Sequence, residues 1–168
     1  FHARYSALAR TYRYVILYRP VRSALDRHRA WQLRVPIDAA VMQVAASHLI
    51  GEHDFSSFRA AGCQAKNPVR RIEALEVVRH GEHVVIEVRA NGFLYHMVRN
   101  IVGSLVRAGS GEAEPGWLGE LLALKDRRVA APTAPSAGLF LAAVHYPEVF
   151  GLPVPSSRLV SSAEWRDR

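Results

Sequence analysis

Residues 71–108, RIEALEVVRHGEHVVIEVRANGFLYHMVRNIVGSLVRA, change from one hydrophobic periodicity to another, and this change decides the fold class. The first part is typical of a β-hairpin, because two runs rich in β-branched residues, 71–79 and 83–89, flank a short turn at Gly81 and Glu82. Asn91 and Gly92 then break the alternation, and residues 93–108 follow the helical period. Hairpin strands interspersed with helices predict an α+β domain, with a mostly antiparallel sheet and helices packed against it.

The rest of the chain fits the same architecture. Residues 52–69 read as a long irregular segment, of the kind that is often functional in compact domains. Asp38 is expected to cap a helix whose apolar face includes Val44. The sequence thus predicts one domain over residues 1–153 and a polar, disordered tail over residues 154–168. The other predicted elements are strands at 11–18, 30–35 and 139–146 and helices at 39–50 and 117–125.

Positive charge is concentrated at the start of the chain. The formal net charge is +7, and residues 1–35 alone hold eight arginines and one acidic residue, Asp26. A basic segment on an otherwise neutral body indicates a footprint for a polyanion such as nucleic acid, although a solvated basic face would look the same. No apolar run approaches the ~20 residues that span a bilayer, so no membrane helix is expected.

The cysteine and histidine content limits which disulfides and metal sites the chain can form. Cys63 is the single cysteine, which excludes an internal disulfide and fits a reducing cytoplasm. The eight histidines do not show the compact paired spacing of metal ligands, so we expect no metal site.

Arg99 is the unusual residue of the predicted helix at 93–108. On a helical wheel Leu94, Val98, Ile101 and Leu105 form the apolar stripe, and Arg99 lies about 120° from its centre. Its neighbour one turn later is Gly103, which leaves a gap beside the guanidinium. From spacing alone this arrangement could be an anion site, or a surface arginine whose stem covers apolar residues.

The strand at 11–18 carries a second candidate site. Alternation sends Tyr12 and Tyr14 to one face of the strand and Arg13 to the other. Aromatic residues interleaved with Arg4, Arg10 and Arg13 suit base stacking combined with binding of the RNA backbone. The two tyrosines could equally be core residues with hydrogen-bonded hydroxyls.

Several segments together resemble a known family. FHARYSALARTYRY, LIGEHDFSSFRA, ANGFLYHMVRNIVGSL and LLALKDRRVAAPTAPSAGLFLAAVHYP occur in the order found in the bacterial tRNA pseudouridine synthases that modify the anticodon stem-loop. In that family the catalytic aspartate belongs to an Arg-Thr-Asp-x-Gly-Val-His motif that precedes the FHAR-like segment. No Arg-Thr-Asp occurs in these 168 residues. The resemblance therefore implies a C-terminal domain that begins at Phe1, without the N-terminal catalytic half, and that is inactive alone.

The resemblance also implies roles for individual residues. Arg99 would be the partner of the missing catalytic aspartate, Tyr12 the aromatic residue against the target base, and Leu139 an apolar wall of the pocket. A cytoplasmic homodimer that binds one tRNA across both subunits is implied, with no cofactor and no metal. The alternatives are a free-standing RNA-binding module without catalysis and a basic structural protein of a ribonucleoprotein.

Overall fold

A computed structural model of the protein describes residues 1–153. Within these residues one mixed sheet of six strands and three α-helices form an α+β fold, which confirms the predicted class. The elements in chain order are β1 (Ala9–Tyr18), β2 (Trp31–Leu33), α1 (Ala39–Ser47), β3 (Gly51–Asp54), β4 (Val69–His80), β5 (His83–Ala90), α2 (Met97–Gly109), α3 (Trp117–Leu124) and β6 (Leu139–His145). The predicted tail at 154–168 lies outside the described residues.

Strand β1 organises the sheet. The strand order is β2-β1-β5-β4-β3, and β6 pairs with the first half of the same β1 edge whose second half pairs with β2. Only the β1–β2 pair in this part of the chain is parallel, so the sheet is mostly antiparallel as predicted.

Alternation along β1 separates the two faces of the sheet. Tyr14 and Ile16 are fully buried in the main core with the helices, whereas Val15 and Leu17 form a small second cluster with Ala30 on the opposite face. This is the period of two that a strand covered on both faces must show. The predicted site residues Tyr12 and Arg13 therefore lie on opposite faces of the sheet.

Helix α1 begins as predicted but presents a different face to the core. The Asp38 carboxylate accepts hydrogen bonds from the backbone N–H groups of Ala40 and Val41, as an N-cap residue should. The prediction that Val44 is buried is wrong, because 55% of it is exposed, and Met42 is buried instead. A Cβ on Gly109 of α2 would lie only 2.5 Å from Met42 Cγ, so the Met42 side chain packs directly against this glycine. This contact sets which face of α1 is turned toward the core.

Several boundaries also differ from the sequence predictions. The helix predicted at 39–50 ends at Ser47, and the strand predicted at 30–35 spans only Trp31–Leu33. The segment at 52–69 is not irregular throughout, since Gly51–Asp54 forms β3 and pairs with β4. The helix predicted from residue 93 begins at Met97, because His96 has a left-handed backbone (φ 57°) and cannot continue a right-handed helix. Residues 91–96 instead form the turn that leads from β5 into α2.

No helix in residues 1–153 combines the length and apolarity that crossing a membrane requires.

Candidate active site

Arg99 lies in the first turn of α2, partly buried at the edge of the core. Its Nε donates to the carbonyl oxygen of Ala134 at 2.6 Å, and its Nη1 lies 3.3 Å from His96 Nε2. The backbone N–H of Ala134 in turn donates to the Arg99 carbonyl at 3.1 Å. No ion pair joins Arg99 to a carboxylate within residues 1–153, so both acceptors that hold the guanidinium are neutral.

The gap that the sequence predicted beside Arg99 is filled. Gly103 is buried, and a Cβ at this position would lie only 2.1 Å from the carbonyl oxygen of Pro132. The backbone of residues 132–134 therefore crosses α2 at Gly103, where a larger residue would block it. The open gap was a wrong prediction, since a helical wheel does not include a segment about thirty residues later in the chain. Gly103 instead allows the segment to reach Arg99.

Tyr14 connects Arg99 to the sheet. Its hydroxyl donates to the carbonyl oxygen of Pro135 at 2.6 Å, next to the Ala134 carbonyl that receives Arg99. Burial raises the pKa of Tyr14 above its usual range, and the nearby positive charge of Arg99 partly offsets this effect. The hydroxyl thus stays protonated and serves as a hydrogen-bond donor that fixes the 134–135 segment.

Tyr12 and Leu139 lie on the same face of the sheet as Tyr14. Tyr12 is two residues away along β1, and Leu139 is directly opposite Tyr14 on β6. Both are partly buried, and the Tyr12 ring packs edge-on against Phe93 with 5.1 Å between centroids. Tyr14 therefore lies beside Leu139 in the sheet and is linked to Arg99 through residues 134–135, while Tyr12 lies two residues along the same strand. The roles of Tyr12, Arg99 and Leu139 in catalysis stay predictions.

A buried polar network supports this segment from the other side. Asn100 is fully buried, and its Nδ2 donates to the Phe58 carbonyl at 2.8 Å. Its Oδ1 accepts from the Thr133 hydroxyl at 2.6 Å and from Arg127 Nη2 at 3.0 Å. Because both polar atoms of this amide are hydrogen-bonded, the network ties α2 to Thr133, which lies between Pro132 and Ala134, and to Arg127.

The three arginines predicted to contact RNA fall into two groups. Arg10 donates through Nη2 to the carbonyl oxygen of Arg4, so these two residues lie together at the start of β1. Arg13 points to the opposite face of the sheet, where its Nε and Nη2 donate to Glu87 Oε2 at 3.0 and 2.9 Å. Much of the Arg13 charge is therefore already neutralised within the chain.

A family model described as tRNA pseudouridine synthase matches residues 45–147, more than half of the chain. The chain belongs to the tRNA pseudouridine synthase family. The match confirms the resemblance drawn from the four quoted segments, and it lends no support to a free-standing RNA-binding module.

Several relatives in this family are named tRNA pseudouridine synthase A. The protein of Methylococcus capsulatus is 53% identical over 152 residues, which cover 90% of this chain and 56% of the relative. That of Citrobacter koseri is 51% identical over 153 residues, with 91% and 57% covered. That of Paraburkholderia xenovorans is 47% identical over 169 residues, with 100% and 63% covered. The chain therefore spans little more than half the length of these pseudouridine synthases.

Sequence reasoning missed His96, Asn100 and Tyr14 as parts of this site. Asn100 had a usable signal, because an amide inside an apolar helical segment is costly unless it is hydrogen-bonded. Tyr14 reads from the sequence only as a stacking or core residue, since the Pro135 carbonyl that accepts its hydrogen bond is far away in the chain. Nothing in the local pattern marked His96.

Proposed function

We propose that residues 1–153 form the C-terminal domain of an enzyme that isomerises uridine to pseudouridine in tRNA. The observation that carries the proposal is the guanidinium of Arg99, which is held by two neutral acceptors and lies near Tyr14, on the sheet face that also carries Tyr12 and Leu139. A partly buried cation without a carboxylate partner among residues 1–153 is poorly compensated. The proposed partner is a catalytic aspartate in sequence outside these 168 residues.

The proposed reaction needs such a pair. Pseudouridine formation breaks the bond between the sugar C1′ and uracil N1 and forms a bond between C1′ and C5. The C5 proton is lost and N1 gains a proton, so no atoms are added overall. A catalytic aspartate must be ionised to attack or to stabilise the intermediate, and a guanidinium beside it favours the ionised form and lowers its pKa.

The neighbouring residues suit an extruded base. Taking a uridine out of its stack costs a few kcal/mol, and stacking on an aromatic ring can offset ~1–3 kcal/mol of this. Tyr12 supplies an aromatic ring that Phe93 holds edge-on. Leu139 supplies an apolar wall that keeps water away from the charged pair.

The proposed substrate surface extends to Arg4 and Arg10 at the start of β1, which would neutralise backbone phosphates of an anticodon stem-loop. Arg13 is the weaker member of this set, because Glu87 already binds it. Large apolar side chains remain exposed near both ends of the described chain, and we propose that the complete homodimer covers them. They include Phe1, Tyr5, Leu8 and Val149. With tRNA as substrate, the proposed place of action is the cytoplasm, and no cofactor or metal is needed.

The test is activity of the full-length protein with Arg99 changed. We expect Arg99→Ala to abolish pseudouridine formation in a tRNA transcript while the Kd for tRNA changes little, because the lost contact is to the aspartate. Arg99→Lys should restore little, since a single ammonium cannot form two parallel hydrogen bonds to a carboxylate. Arg128→Ala is the matched control, because that guanidinium is exposed and pairs only with Asp126.

Two results would contradict the proposal. One is wild-type activity in Arg99→Ala. The other is an equal loss of tRNA binding and turnover, which would mean that Arg99 holds the fold or the RNA backbone.

A further inference from the structure

A histidine ring is the second acceptor that holds the Arg99 guanidinium. His96 Nε2 lies 3.3 Å from Arg99 Nη1. Arginine can only donate hydrogen bonds, so this geometry requires Nε2 to accept. Neutral His96 therefore carries its proton on Nδ1, a tautomer assigned from the hydrogen bond.

The backbone and the neighbours of His96 hold this ring in place. His96 has φ 57°, which is uncommon for a residue other than glycine and is concentrated at functional sites. The ring stacks on Tyr95, with 3.9 Å between centroids and 25° between planes. The Tyr95 backbone is itself fixed, because its carbonyl accepts from the Ala60 N–H and its own N–H donates to Cys63 Sγ.

We propose that His96 is a positioning residue, whose neutral Nε2 orients the Arg99 guanidinium toward the catalytic carboxylate. This inference rests on the proposed function. The Nε of Arg99 is taken by Ala134, and one Nη1 hydrogen is taken by His96. The second Nη1 hydrogen and both Nη2 hydrogens have no partner in residues 1–153. Both terminal nitrogens of the guanidinium thus keep donors for an arriving carboxylate.

The arrangement works only while His96 is neutral. Burial, followed by the positive charge of Arg99, lowers the pKa of His96 below its ordinary value of 6.5. Acidification through that pKa puts a proton on Nε2, so two donors then face each other and the hydrogen bond to Arg99 is lost. Activity that depends on this bond is present above the pKa of His96 and is lost as the pH falls through it.

Other charged and titratable groups surround the imidazole. Tyr95 stacks on the ring, and Tyr14 of β1 lies beyond Arg99. Arg59 and Cys63 come from the loop that contacts the Tyr95 backbone. A carboxylate bound to Arg99 would raise the pKa of His96. The pH at which activity falls therefore does not by itself identify His96. The test is whether the loss of activity at low pH disappears when residue 96 is changed.

The experiment compares full-length wild-type protein with His96→Ala, His96→Phe and His96→Gln, using single-turnover pseudouridine formation between about pH 5 and pH 8. Phenylalanine keeps the stacking on Tyr95 but has no acceptor, whereas glutamine keeps an acceptor that does not titrate. His48→Gln is the control, since His48 is exposed at the end of α1.

We expect His96→Ala and His96→Phe to lower the rate about tenfold or more at neutral pH, equivalent to ~1.4 kcal/mol. Binding of tRNA should change by less than about twofold, because the bond to Arg99 acts at the reacting centre. His96→Gln should keep most of the neutral-pH rate and lose the acid limb seen in wild type. His48→Gln should match wild type at every pH.

The positioning role is overturned if His96→Phe retains the wild-type rate and acid limb. It is also overturned if His96→Gln is as impaired as His96→Ala, with a matching loss of thermal stability, since the histidine would then only support the fold. These outcomes differ from failure of the proposed function. Wild-type protein that forms no pseudouridine would remove both proposals. Loss of activity in Arg99→Ala alone, with normal His96→Phe, would remove only this one.

Discussion

Replacing Gly103 with alanine should disrupt the segment that holds Arg99. The new Cβ would lie 2.1 Å from the Pro132 carbonyl oxygen, so this backbone must retreat by about 1.3 Å to reach an ordinary contact of 3.4 Å. Overpacking of this kind costs ~1–3 kcal/mol. The retreat would also weaken the two hydrogen bonds between Arg99 and Ala134, worth ~1 kcal/mol for the backbone bond and ~1.5–3 kcal/mol for the charged one.

Alanine also has a higher helix propensity than glycine, which returns ~1 kcal/mol. All of these losses come from one displacement of the Pro132 backbone, so their energies do not simply add. We therefore expect Gly103→Ala to reduce the free energy of unfolding by about 3 kcal/mol. For a chain of this size the Tm should fall by roughly 6–12 °C. Urea unfolding followed by circular dichroism, together with thermal melts, measures both quantities.

Gly119→Ala is the matched control. Gly119 also lies inside a helix, but a Cβ there would make only an ordinary contact of 3.4 Å with the His48 ring. This variant should be as stable as wild type or gain up to ~1 kcal/mol. If Gly103→Ala behaves in the same way, the reasoning from the crossing of Pro132 over α2 is refuted.

Two further predictions concern the support of the site and its RNA contacts. Asn100→Ala should cost ~2–4 kcal/mol in urea unfolding, because it leaves several buried polar partners unsatisfied. A loss below about 0.5 kcal/mol would show that the network is not needed. In full-length protein, Arg4→Gln and Arg10→Gln should each lower the slope of log K against log salt for tRNA binding by up to ~0.7–0.9. Arg13→Gln should change this slope less because Glu87 already binds that guanidinium, and equal effects of all three variants would contradict the assignment.

The elements set by local pattern were predictable from the sequence. The predicted hairpin at 71–79 and 83–89 lies within β4 and β5, since alternation and a two-residue turn act over short distances. The buried stripe of α2 was also right, because Val98, Ile101 and Leu105 are all in the core. The predicted start of that helix at residue 93 was wrong. Apolar residues such as Leu94 extend the helical pattern into the preceding turn, and this turn ends at His96, whose backbone is left-handed.

Contacts between distant segments were not predictable in this way. Gly103 reads as a gap in the sequence, but it is where the backbone of Pro132 crosses the helix. The rotation of α1 depends on Met42 meeting Gly109, a contact that no periodicity within α1 encodes. The family resemblance named Arg99, Tyr12 and Leu139, but it could not supply the acceptors that orient the guanidinium.

The choice of neutral acceptors around Arg99 has a physical consequence for the proposed site, in which a carboxylate from outside these residues would meet the guanidinium. An internal carboxylate would neutralise the guanidinium and leave little attraction for a second one. A backbone carbonyl and a neutral imidazole instead fix the direction of the donors without cancelling the charge. A partly buried guanidinium held in this way has already lost part of its hydration, so an arriving carboxylate meets an oriented cation with less water to displace. The same arrangement predicts that a new internal partner, such as His96→Glu, would abolish pseudouridine formation by the full-length protein in the single-turnover assay, because the guanidinium would already be paired.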